Sequence, residues 1–202
     1  MVRLVETALR HATAALLDDD PLDGDFNDLL LALNEELDDQ TTGIRALGGL
    51  RAAPADLCRI VVGVQVGMDA ECLGELVRSV ADIARSNARS RQATPSWPAA
   101  VDGIVREMSQ DCLVMIATLA AAMEAPGPIP VRDMQRTRDD VDLSHALLHR
   151  ELVALGDTVT VRTATDISLA SRCLARCADH IVSVARHLTL VHDIAPDTTS
   201  TA

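Results

Sequence analysis

This chain has no lysine and no tyrosine, and phenylalanine and tryptophan occur once each, so aromatics make up only 1% of its 202 residues. Strands favour aromatic and β-branched side chains, whereas helices favour Ala, Leu, Arg and Glu, which dominate here. The absence therefore argues against a sheet and for an all-α fold. It also removes the platforms on which single-stranded nucleic acid stacks its bases.

Positive charge is scarce as well. All 18 basic residues are arginines, and the formal net charge is −12. A phosphate backbone repels such a chain unless a local basic patch exists. The densest basic stretch, 85–91, carries Arg85, Arg89 and Arg91 at the end of an expected helix, where cations complement the helix dipole. No nucleic-acid partner is expected. Nor is there a bilayer-length apolar run; the longest candidate, around 60–66, is broken by Arg59 and Gln65.

The five cysteines (Cys58, Cys72, Cys112, Cys173, Cys177) show neither a disulfide framework nor a C-x-x-C pair. Together with the lack of a recognisable secretory leader, they lead us to expect a reduced, cytoplasmic compartment.

Punctuation divides the chain into six helical stretches. The first covers Val2–Leu17 and ends at D-D-D-P-L-D-G-D; the second runs over about 26–44. Pro54 is a good start for the third, which continues to Ser90, because proline lacks an N–H that a first turn leaves unsatisfied. A-T-P-S-W-P (93–98) reads as a linker. The fourth stretch then runs to Glu124, the fifth over Val131–Leu155, and the sixth from a cap at Asp157 to about 192. The β-branched run T-V-T-V-R-T-A-T-D (158–166) imitates a strand but is read as the first turns of helix six. Three helices, a linker and three more helices, each half ending in its longest helix, suggest a duplicated unit. The boundaries are 1–92 for the first unit, 93–98 for the linker, 99–193 for the second unit and 194–202 for a flexible tail.

Apolar residues recur at steps of three and four along both long helices. Val62, Val66, Ala70, Leu73, Val77, Val80 and Ala84 form one stripe, and Ile167, Ala170, Leu174, Cys177, Ile181, Val184 and Leu188 the other. Opposite the first stripe lie Glu71 and Glu75, one turn apart and followed by Ser79. Opposite the second lies Asp179, with Ala175 and Ser183 on the same outer face. Two carboxylates one turn apart repel unless water, arginine or a metal intervenes; most such pairs are solvated surface. His145 and His149 are also one turn apart, with Asp142 on their side. Such a pair can chelate zinc, although helical His pairs are more often solvated.

At these helices the sequence resembles the PhoU family of regulators of bacterial phosphate transport. The third helix of each family repeat carries a stretch like D-L-R-x-I followed, after about ten residues, by L-E-R-I-G-D-x-A-x-N-I-A. Repeat one here reads P-A-D-L-C-R-I (54–60) and then D-A-E-C-L-G-E-L-V-R-S-V-A (69–81), which puts Glu71, Gly74, Glu75 and Ser79 at the Glu, Gly, Asp and Asn positions. Repeat two reads D-I-S-L-A-S-R-C-L-A-R-C-A-D-H-I-V-S-V-A-R (166–186), with Asp166, Arg172, Leu174, Arg176, Asp179 and His180 in register. Upstream, D-D-V-D (139–142) is similar to the acidic start of that repeat's second helix.

The resemblance implies two tandem three-helix bundles with acidic surface pairs that hold iron, zinc or another divalent ion. By position the ligands are Glu71 and Glu75 in repeat one, and Asp179 with Asp142 in repeat two. Ala175 stands where the family's second Glu is expected, and Ser79 and Ser183 replace both Asn residues. The implied role is non-enzymatic: a cytoplasmic regulator that couples the ATPase of a phosphate ABC transporter to a sensor histidine kinase. It would form a homodimer and meet the membrane only through its partners.

The competing reading is an all-α, metal-dependent NTP pyrophosphohydrolase. The acids of N-E-E-L-D-D (34–39) would join Glu71 and Glu75 around magnesium. Such chemistry also needs donors that neutralise the phosphates, and the chain offers neither a Gly-rich phosphate loop nor lysine. No Ser-His-Asp or Cys-His order suggests covalent catalysis.

Overall fold

A computed structural model describes residues 1–18, 20–22, 24–47, 54–90, 97–124 and 127–194. Six helices follow in order: α1 (Val2–Leu17), α2 (Gly24–Leu47), α3 (Pro54–Ser90), α4 (Ala99–Glu124), α5 (Val131–Leu155) and α6 (Val161–Ile194), with a single 3-10 turn, Gly156–Thr158, before the last. No strand occurs among the described residues. The helix starts follow the local chemistry. Pro54 opens α3; the Pro98 carbonyl accepts the N–H groups of Val101 and Asp102, and the Pro130 carbonyl those of Asp133 and Met134. Asp25, Asp56, Asp102 and Asp133 lie in first turns, where the helix dipole favours negative charge.

The start of α6 differs from the expectation. Asp157 falls inside the 3-10 turn, and the cap is Thr160, whose Oγ1 accepts the Thr163 N–H at 3.1 Å. The turn forms because Gly156 adopts a positive φ of 49°, a conformation open to glycine without a Cβ penalty. Helix α5 therefore ends and α6 begins within a few residues, and the strand-like run 158–166 is a corner followed by helix. Most of the expected linker, and the tail beyond Ile194, lie outside the described residues.

Helices α1, α2 and α3 pack on one another, and so do α4, α5 and α6. The two sets are joined mainly by α3 against α6, and again by α1 against α4. One apolar cluster runs through both sets, from Leu9, Leu16, Phe26 and Leu33 to Met115, Leu148, Leu174 and Ile181. Each such side chain, taken fully out of water, contributes about 1.5–3 kcal/mol. With so few aromatics, aliphatic and thioether side chains fill the interior. Small residues on the facing helices (Ala70, Ala81 and Ala84 on α3; Ala170, Ala178 and Ala185 on α6) are buried in this core.

Both predicted stripes are core, with Leu188 half-buried at the far end of α6. Ala175 corrects the surface expectation: it is buried, because α6 packs against α3, α4 and α5 together and its buried arc is wider than one stripe. The α1–α4 seam is tied at both ends by charge. Arg3 donates two 2.8 Å bonds to Glu124, and Arg106 donates to Asp18 at 2.7 Å.

The cysteines are all unpaired thiols. Cys112 donates to the Leu174 carbonyl at 3.3 Å, and burial pushes its pKa up to about 12, with Asp111 adding to the rise. Burial also raises Cys177 well above the usual thiol value. Both behave as small core residues.

Candidate functional site

The two acidic motifs have different surroundings. In repeat one, Glu71 and Glu75 are exposed along the outer side of α3, and the Ser79 hydroxyl turns back to donate to the Glu75 carbonyl at 2.9 Å. The glutamates remain available to solvent. Gly74, between them, lets α2 approach closely: a Cβ built there would come within 3.1 Å of Cδ2 of the fully buried Leu33.

In repeat two the structure brings Asp142 of α5 and Asp179 of α6 together around a cation that belongs to the chain. Arg138 donates from Nε to Asp179 Oδ1 at 2.8 Å and from a terminal nitrogen to Asp139 Oδ1 at 3.0 Å. The same nitrogen lies 3.2 Å from Asp142 Oδ2. Hydrogen bonds donated to Asp179 first and Asp139 second raise the Arg138 pKa, so the guanidinium stays charged. As arranged, these carboxylates do not fit a resident metal ion, because their converging oxygens already face a positive charge. The missing Glu would have stood at Ala175, which is buried.

The acids of 34–39 do not join Glu71 and Glu75. Glu36 accepts from Gln40 and lies 3.8 Å from the N-terminal amine of Met1, and Asn34 accepts from Arg78. Among the described residues, no three His, Cys, Asp or Glu side chains are grouped to hold an ion.

Sequence reasoning missed Asp69. It points from α3 into the seam with α6, only 14% exposed at its side chain, and His180 and His187 both turn their Nδ1 atoms to it. The His180 contact is a hydrogen bond of 2.9 Å to Oδ1. The His187 contact to Oδ2, at 3.3 Å, is close enough for an ion pair but lacks hydrogen-bond geometry. Thus the neighbours Asp179 and His180 serve different sides of α6: the aspartate is exposed against Arg138, and the histidine reaches across to α3. The available signal was His187, seven residues after His180 and so on the same helical face.

A third polar cluster lies between α5 and α6. His145 Nδ1 is 3.1 Å from Oγ of the fully buried Ser171, and His145 Nε2 is 3.3 Å from His149 Nε2. Desolvation first, then the neighbouring His149, lowers the His145 pKa below the ordinary histidine value.

Comparison with known proteins matches residues 105–188 to the PhoU domain model. The chain is 29% identical over 195 residues to "Phosphate-specific transport system accessory protein PhoU homolog 2" of Mycobacterium tuberculosis, covering 93% of this chain and 87% of that protein. The same figures hold for the Mycobacterium bovis protein of that name. PhoU from Pseudomonas aeruginosa has the same fold, with a TM-score of 0.75 at 21% identity, covering 95% of this chain and 91% of the other. The phosphate transport system regulatory protein PhoU from Streptococcus pneumoniae gives 0.72 at 20% identity, with 95% and 90% covered. Residues 105–188 thus match the PhoU domain, and nearly the whole chain is similar to PhoU proteins and shares their fold.

Proposed function

We propose that this chain is a non-enzymatic regulator of phosphate uptake that acts by docking its helix faces onto protein partners. The observation that carries the reading is the similarity over 93% of the chain to proteins named as accessories of a phosphate-specific transport system. The partners of this reading are the ATPase of a phosphate ABC transporter and a sensor histidine kinase. The helices support a docking role physically. Leu57, Val61, Val64 and Met68 recur at steps of three and four along α3 and are all exposed, forming an apolar row of the kind that partners cover. No helix among the described residues is long and apolar enough to cross a membrane, so in this reading contact with the transporter runs through its cytoplasmic ATPase. Glu71 and Glu75 are the pair left open to a divalent ion, with water completing its shell.

Deleting the gene tests the proposal. Phosphate uptake and phosphate-regulon expression should both rise when phosphate is plentiful, and unchanged values for both would overturn the regulator. Rapid release of pyrophosphate from nucleoside triphosphates and magnesium by the purified protein would overturn its non-enzymatic character.

A further inference from the structure

The cluster on α5 has a geometry that the regulator reading does not use. His145 and His149 point their Nε2 atoms at one another across one helical turn, 3.3 Å apart, with their rings edge-to-face. Two imidazole nitrogens on one tetrahedral zinc ion, each bonded at about 2.0–2.1 Å, are separated by about 3.3–3.4 Å. The spacing on the helix is already that of two neighbouring corners of the coordination shell.

The second observation is the support behind His145. The Ser171 hydroxyl donates its proton to the Ser168 carbonyl at 3.0 Å, so towards His145 it can only accept. His145 Nδ1 must therefore carry the ring proton and donate it across 3.1 Å, which leaves a lone pair on Nε2. This is the tautomer that a metal-binding histidine needs, held by the kind of neighbour that orients such ligands. Ser171 is completely buried on α6, so the ring position is set by the packing of two helices. His149, exposed on the outer side, presents its own Nε2 once its ring proton has moved through solvent to Nδ1.

We infer that His145 and His149 form an open binding site for a borderline transition cation such as zinc, with Ser171 as its positioning residue. The site is separate from the acidic motifs: Arg138 holds Asp142, and among the described residues no further His, Cys, Asp or Glu completes a three-ligand group. Two corners of a tetrahedral shell are thus left to water or to a donor from outside the chain. Binding exchanges two metal-bound waters for two neutral imidazoles and needs no other reactant.

Zinc titration of the freshly reduced full chain by calorimetry tests the site, with circular dichroism as a check on folding. The wild type should bind one equivalent that both His149→Ala and His145→Ala lose and that a Glu71→Ala, Glu75→Ala double variant keeps. Ser171→Ala should retain the equivalent with about 10–100-fold weaker affinity. The site is overturned if His149→Ala, an exposed substitution that leaves the core intact, binds as much zinc as wild type, or if the wild type takes up none. Unchanged affinity in Ser171→Ala would overturn the positioning role.

Discussion

Replacing Asp69 with alanine should loosen the joint between the two halves of the protein. The side chain is mostly buried and accepts a 2.9 Å bond from His180. A hydrogen bond to a charged group contributes about 1.5–3 kcal/mol, and the low exposure puts this one in the upper half of that range. The His187 contact lacks hydrogen-bond geometry, so we assign it nothing further. The expected loss is about 2–3 kcal/mol, which for a chain of this size lowers Tm by about 4–12 °C. Asp69→Asn keeps an acceptor oxygen and loses only the charge, so it should fall between alanine and wild type. A double-mutant cycle of Asp69→Ala with His180→Ala, followed by urea denaturation, isolates the pair. Coupling of more than about 1 kcal/mol is expected, and additivity within about 0.5 kcal/mol would refute the reasoning, since that is how unconnected sites behave.

Substitutions at two further positions test packing and charge. Gly74→Ala gains about 1 kcal/mol of helix propensity and loses a similar amount as Leu33 yields, so its midpoint in urea should barely move. Gly74→Leu should cost about 1–3 kcal/mol by overpacking, and a leucine variant as stable as wild type would show that α2 is not seated there. Asp111 has its pKa raised, by burial first and then by Glu107 and Asp140. A raised carboxyl pKa means that folding favours the protonated form, so stability is highest below the ordinary aspartate value and is lost as pH rises through the folded one. Asp111→Asn should therefore raise Tm at pH 7, by the equivalent of at most about 1 kcal/mol for a half-buried group that solvent still screens. The gain should vanish below pH ~3.8; a gain that persists in acid would reject an electrostatic cause.

Much of the architecture was legible along the chain because it is written locally. The boundaries of α1 and α3–α5 follow from proline, glycine and acidic first turns, and α2 runs only a few residues past its expected ends. The stripes on α3 and α6 were read from spacing alone, since a helix with one apolar face must bury it. The start of α6 was less legible: a β-branched run carries no strong helix signal, and the cap at Thr160 depends on a corner made by Gly156. Ala175 was misplaced on the surface because spacing gives the centre of a buried arc and not its width.

The polar groups show where local information ends. Glu71, Glu75, Asp142 and Asp179 could be nominated from sequence, yet their states depend on which helix lies alongside. Arg138 reaches Asp179 across 41 positions of sequence, and Asp69 reaches His180 across 111. The sequence by itself determined that the chain is helical and acidic, because composition and periodicity act within a few turns, and its motifs carried the resemblance to PhoU proteins. Only the tertiary structure decided which carboxylates are neutralised, which histidines face inward and which pair stands open, because Coulomb and hydrogen-bond energies depend on distances between helices that the sequence does not print.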